Sequence, residues 1–309
     1  MTSKKLPDIV RLTNISGYEQ RCNDIVYCRP QNVIENPNLC VFFGGDVQDF
    51  TENMLSHRDN KNYVQWNLEN TAKILQHRFL TSHIVVIRPA RMEYKTFSCY
   101  ENFLPCFACG VPDHCPMNFS LKHLETLLIN ISRKLQTMTD EELKHVEEVS
   151  KNGLVDYVDT PKTSDEVPLR TTVNLNDCEV SLLGFSKGCV VLNQFLYEYN
   201  YYKNLPGSED IKILPLIKQM YWLDGGHSGG KNTWITTRSL LETLASMDIQ
   251  VYVHVSPYQV ADDRRPWVKN EEKKFTETLK KIGANIERTL HFSNVPSSLH
   301  VHFNILKEF

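Results

Sequence analysis

The sequence predicts an α/β fold built on a mainly parallel sheet with helices on both faces. Three observations carry that expectation. Short apolar runs rich in β-branched and aromatic residues alternate with longer segments of helical periodicity. One strand-to-helix junction holds a glycine-framed serine, Gly184-x-Ser186-x-Gly188. The 309 residues, 41% hydrophobic and 23% charged, suffice to bury a large core and show no bias toward disorder, collagen or coiled coil.

In chain order, strands are expected at 24–27, 39–43, 84–87, 180–183, 219–223, 249–255 and 286–292. Helices are expected at 63–77, 121–135, 187–199 and 267–282, each where a crossover between parallel strands is needed. The last has Val268, Phe275, Leu279 and Ile282 on one face, with Gly283 placed to end it. Segment 139–176 breaks the alternation: it is acidic at Asp140, Glu141 and Glu142, then polar with Pro161 and Pro168. It reads as a variable insertion with a partly flexible loop, opened by a short helix over 140–149, within a single domain spanning 1–309.

Charge and cysteine usage narrow the function classes. Lys and Arg number 34 against 37 Asp and Glu, a net charge of 34 − 37 = −3, without the clustered basic excess that phosphate neutralisation demands. No nucleic-acid partner is expected. No run approaches the roughly 18 consecutive apolar residues of a membrane span, so no transmembrane segment is expected. The first thirty residues lack the apolar core of a secretory signal, which leaves a short mitochondrial presequence open. Nine cysteines, an odd number in a chain long enough to fold without staples, read as free thiols of a reducing compartment.

No metal or other cofactor is expected. Cys106-x-x-Cys109 has zinc-ligand spacing but no second matching pair, although Cys99, His114 and Cys115 lie nearby in sequence. The glycine-dense loop 223–230 has neither dinucleotide-binding spacing nor a P-loop ending.

The serine motif points to chemistry because of its context. An apolar strand runs into it and an apolar helix leaves it, so the tight turn lifts Ser186 above the sheet at the positive end of the helix. A serine at its ordinary pKa needs a base, itself oriented by a carboxylate, and in this arrangement the chain order is Ser, acid, His. Asp262 is the expected acid because it follows the strand two places after the elbow strand, with Asp263 and Asp224 as alternatives. His302 is the expected base in the last loop, with His300 as the alternative. Backbone N–H groups of Lys187, and of Asp46 or Gly45 in the Gly44-Gly45-Asp46 turn, are the expected oxyanion donors. His227, in the same loop as Asp224, is expected to line the pocket or steady the histidine.

Blocks beyond the elbow carry a resemblance. Gly45-Asp-Val-Gln-Asp, Trp66-Asn-Leu-Glu-Asn, Phe97-Ser-Cys-Tyr-Glu-Asn-Phe103, the elbow itself, Tyr221-Trp-Leu-Asp-Gly-Gly-His-Ser-Gly-Gly230 and Pro257-Tyr-Gln-Val260 resemble the human chromosome 2 open reading frame 69 protein family. The resemblance runs from about residue 40 to the end of the chain and is weakest over 139–176. It implies an α/β-hydrolase-like fold, serine hydrolase activity on an unestablished substrate, and a mitochondrial location; the cytoplasm is the alternative. It also carries the nucleophile onto Ser186, the base onto His302 rather than His300, and an acidic residue onto position 262.

The leading expectation is therefore a serine hydrolase that takes a small-molecule or lipid-like acyl substrate. The competing one is an inactive hydrolase-like scaffold that binds a protein partner. It is motivated by a lysine directly after Ser186 and by the loop 224–230, either of which could reshape the pocket.

Overall fold

The computed structural model describes residues 5–156, 169–204 and 211–309. Its strands are β1 (Ile9–Ser16), β2 (Cys22–Cys28), β3 (Asn38–Phe43), β4 (Ser82–Ile87), β5 (Arg91–Glu93), β6 (Phe97–Cys99), β7 (Val180–Phe185), β8 (Ile217–Leu223), β9 (Gln250–Val255) and β10 (Ile286–Leu290). Its helices are α1 (Thr51–Leu55), α2 (Leu68–Arg78), α3 (Ser120–Thr137), α4 (Asp140–Gly153), α5 (Cys189–Asn204), α6 (Arg238–Ala245), α7 (Pro257–Val260), α8 (Pro266–Lys281) and α9 (Leu299–Glu308).

Eight strands form one sheet in the order β1-β2-β4-β3-β7-β8-β9-β10, while β5 and β6 make a separate hairpin. β2 is antiparallel to both its neighbours, and every pairing from β4 to β10 is parallel. The strand pleat explains why the central strands read as unbroken apolar runs. Leu39, Val41 and Phe43 of β3 point into one buried cluster with α3, α5, α6 and α8, whereas Cys40 and Phe42 point into the other with α2 and α9. This is the α/β-hydrolase-like architecture, with the elbow at the C-terminal end of a central strand.

All seven expected strands form, with ends shifted by a residue or two. The β5–β6 hairpin was not expected, and in the eight-stranded sheet the unexpected strand is β1, whose apolar positions are interrupted by Arg11, Thr13 and Asn14. Arg11 is nevertheless buried, because its guanidinium is held by Glu52 and Glu69. The helix expected over 63–77 is broken: a 3-10 turn covers Asn60–Trp66, and Asn67 then caps α2 by accepting the Asn70 N–H at 2.7 Å.

The opening helix of the 139–176 segment forms and runs on to Gly153, started by a capping box between Thr139 and Glu142. Its last carbonyl, on Gly153, accepts from Asn67 Nδ2 at 3.0 Å and from Thr51 Oγ1, which fixes this end to α1 and α2. The loop expected after it falls mostly on residues 157–168, outside the described residues. No helix among the described residues is long and apolar enough to cross a membrane. All nine cysteines are free thiols.

Candidate active site

β7 enters the elbow and α5 leaves it, with Ser186 between them at φ +52°. A left-handed backbone at a serine is strained by about 1–3 kcal/mol, and it is what turns the side chain out of the strand direction. Gly188 makes the turn possible: a Cβ there would lie 1.9 Å from the Phe43 carbonyl oxygen, so the elbow sits directly on the end of β3. Ser186 is 8% exposed, and its Oγ has no hydrogen-bond partner among the described residues.

His302 comes from the first turn of α9. The Ser298 side chain caps that helix by accepting the Val301 N–H at 3.2 Å. The imidazole is sandwiched between Phe185, the residue before Ser186, at 4.5 Å between centroids, and Tyr258 at 4.6 Å. Its Nδ1 donates to Asp224 Oδ2 at 2.6 Å. An acceptor on that side keeps the proton on Nδ1 and leaves Nε2 bare, the tautomer a general base requires.

Asp224 lies one residue past β8 at φ +48°, fully buried. Its N–H donates to the His254 carbonyl at 2.7 Å. Its carboxylate accepts the Ser256 N–H at 2.7 Å and the Ser256 Oγ–H at 2.5 Å. Ser256, at the end of β9, therefore orients the carboxylate from behind while His302 approaches from the front.

The structure does not bring the acid expected from sequence to His302. Asp262 does not meet His302: both its oxygens accept from Arg264 and Arg265 at 2.9–3.3 Å, and those two guanidinium groups hold its carboxyl well below the usual carboxylate range. Asp263 is exposed. Asp224, the alternative, is the residue the fold brings to His302. His300 is two residues from His302, about 200° around the helix. Its ring rests on Tyr63 and Trp66, at 5.2 and 5.6 Å, on the far side from Asp224.

Of the expected oxyanion donors, Gly45 is already committed, since its N–H donates to Gln48 Oε1 at 2.9 Å. What Gly45 supplies is space: a Cβ on it would fall 2.6 Å from Ser186 Cβ and 3.2 Å from Oγ. The N–H groups of Asp46 and Lys187 donate to no described residue. The Lys187 side chain is held away from Ser186, its Nζ 2.8 Å from Asp46 Oδ1 and donating to the Cys109 carbonyl at 2.6 Å. His227 is buried beside this cluster rather than beside His302. Its Nδ1 accepts the Gly229 N–H at 3.0 Å, and burial pushes its pKa down to about 4.

A family model described as C2orf69 matches residues 11–285. The chain belongs to the C2orf69 family. It is 35% identical to the "Mitochondrial protein C2orf69 homolog" of Danio rerio, over 100% of this chain and 87% of that protein. It is 38% identical to the "Mitochondrial protein C2orf69" of Homo sapiens, over 87% of this chain and 73% of that one. Among solved structures this C2orf69 family member is similar to esterase Est22, at 12% identity and a TM-score of 0.45 over 97% of this chain and 75% of that one. A structure of fungal esterases from Rhizomucor miehei is similar at 10% identity and a TM-score of 0.45, over 98% of this chain and 82% of that one.

Ser256 and Tyr258 were not legible as site residues in this C2orf69 chain. The available signal was positional: a Ser-Pro pair directly after a strand marks a capped turn at the sheet edge where the site lies.

Proposed function

We propose that this C2orf69 family member is a serine hydrolase in which Ser186 is the nucleophile, His302 the base and Asp224 the orienting acid. The buried His302–Asp224 hydrogen bond of 2.6 Å beside a strained, glycine-framed serine carries the reading. A surface histidine has no use for a buried carboxylate, and a buried carboxylate with no cation needs a partner of this kind.

In the first half-reaction Ser186 Oγ attacks an acyl carbon while His302 Nε2 takes its proton. The tetrahedral oxyanion lies against the N–H groups of Asp46 and Lys187. Collapse breaks the bond to an alcohol, thiol or amine, which leaves with the proton from His302. Water then repeats the sequence on the acyl-enzyme, releasing a carboxylic acid and restoring Ser186. Ser186 and His302 are not hydrogen-bonded in the free protein. Such contacts are commonly long without substrate and tighten when the acyl carbon is bound.

The substrate class is an acyl ester, thioester or amide, small or lipid-like. The relatives named as mitochondrial proteins support a mitochondrial site of action. A full-length fusion carrying a C-terminal fluorescent protein should co-localise with a mitochondrial matrix or membrane marker; a diffuse cytoplasmic signal overturns that location.

The activity is tested by intact-mass detection of labelling with an alkyl fluorophosphonate. One adduct is expected on the wild type, none on Ser186→Ala, and a slowed reaction on His302→Ala. A folded wild type that takes no adduct overturns the proposal.

A further inference from the structure

We infer that the Lys187–Asp46 ion pair positions the oxyanion site, tying together by their side chains the two residues whose backbone N–H groups face the reacting oxygen. This rests on the hydrolase reading above. Lys187 is fully buried, yet it extends a charge: its Nζ stands 2.8 Å from Asp46 Oδ1, donates to the Cys109 carbonyl at 2.6 Å, and lies 5.0 Å from the Phe97 ring centroid. The same Asp46 Oδ1 accepts the Ser98 N–H at 2.8 Å and the Ser98 Oγ–H at 3.0 Å. One carboxylate oxygen thus gathers donors from the elbow and from β6.

Asp46 needs such an anchor. It sits in the turn after β3, and the neighbouring peptide groups are held by other contacts: Gly45 N–H by Gln48 Oε1, Val47 N–H by the Thr96 carbonyl, and the Gly44 carbonyl by the Tyr100 hydroxyl. The Asp46 N–H has no described acceptor, so no hydrogen bond of its own fixes its direction, and the side-chain carboxylate is what holds this residue to the elbow and to β6. Stability does not account for the arrangement. The ammonium is fully buried while the Asp46 side chain is 29% exposed, and desolvation of the buried charge offsets much of the attraction. What an ion pair adds is one fixed geometry, and two donors aimed at a developing oxyanion require it.

The experiment measures phosphonylation of the full-length protein over a range of fluorophosphonate concentrations, which separates the maximal rate from the half-saturating concentration. Lys187→Met keeps the volume and removes the charge. Its maximal rate is expected to fall about 10-fold or more, with half-saturation unchanged within about 2-fold. Asp46→Asn should behave alike, and the double variant should be no slower than the slower single, since both break one contact. Ser98→Ala leaves both charges in place and removes one donor to Asp46; it should lower the same rate about 3-fold and serves as the measure if Lys187→Met does not fold. A wild-type maximal rate in the folded variants overturns the inference, as does a loss that appears only in half-saturation or adds fully in the double variant. A wild type that is never labelled defeats the hydrolase reading instead.

Discussion

Replacing Asp224 by asparagine changes one oxygen to an NH2 group and leaves the volume almost untouched, so it tests the acid without testing the fold. The structure fixes which way the amide must turn. Oδ1 accepts from the Ser256 N–H, which can only donate, so the asparagine carbonyl has to occupy that side. The NH2 then faces Ser256 Oγ and His302 Nδ1, where Oδ2 now accepts at 2.5 and 2.6 Å. Ser256 Oγ can rotate and accept, but His302 Nδ1 can accept only by giving up its proton to Nε2. An Nε2 that carries a proton cannot receive one from Ser186. The same tautomer error in a serine protease triad costs about 10⁴ in rate, or about 5.4 kcal/mol of activation free energy. Asp224→Asn is therefore expected to label with the fluorophosphonate about 10⁴-fold more slowly while its thermal unfolding midpoint moves little. Asp262→Asn, which loosens contacts with Arg264 and Arg265 and removes none to His302 or Ser186, should label within about 2-fold of wild type. Wild-type labelling in Asp224→Asn, or the loss appearing in Asp262→Asn instead, would refute the assignment.

His300→Ala should retain labelling within about 2-fold, because its ring packs on Tyr63 and Trp66 rather than on Asp224; a large loss of rate would show that the base has been misassigned. Gly188→Ala should cost about 3 kcal/mol or more in urea unfolding, since the new Cβ meets backbone oxygens of Phe43 at 1.9 Å and Gly44 at 2.7 Å. An unchanged urea midpoint would mean that β3 and the elbow are not packed as described. Stability should also fall on mild acidification. Burial pushes His83 and His227 down to about 4 and His123 to about 3, from an ordinary 6.5. The unfolded chain therefore binds more protons between those values, and the stability is complete above pH 6.5 and lost as pH drops toward 4. Each such group is worth about 2 kcal/mol between pH 6.5 and about pH 5, so a thermal midpoint that stays level across that interval would contradict the burial of these rings.

The central sheet was legible because parallel strands covered on both faces must be apolar at every position, as Val85, Val86 and Ile87 show. β1 was not, because its burial depends on charges supplied from elsewhere: Arg11 is tolerated only where Glu69 and Glu52 meet it, 58 and 41 residues away. The break at Asn67 escaped notice for a related reason. Helical periodicity continues through the 3-10 turn, and only the cap onto Asn70 distinguishes a new start from a continuation. The elbow was legible because strand, glycine-framed serine and helix are all local in sequence. The environment of His302 was not, since Phe185 and Tyr258 reach it from positions 117 and 44 residues earlier in the chain.

The choice between Asp224 and Asp262 turns on a distinction that chain order leaves open. Both follow the serine and precede the histidine. Yet β8 is hydrogen-bonded directly to β7, one strand spacing of about 4.8 Å from the elbow, whereas β9 is a second strand away. A carboxylate at the end of β8 can therefore meet a histidine lying over Phe185 with a short side chain, provided its backbone turns sideways, as the left-handed φ of Asp224 does. The local charges point the same way. Asp262 has Arg264 and Arg265 within three residues and is satisfied by them. Between Lys218 and Lys231 there is no lysine or arginine, so Asp224, buried in Leu223-Asp224-Gly225-Gly226, has no cation nearby in sequence and must find its donors through the fold. It finds them in Ser256 and His302. A carboxylate at a strand end with no local cation is thus the better candidate for a buried orienting acid than one beside two arginines, whichever strand it follows.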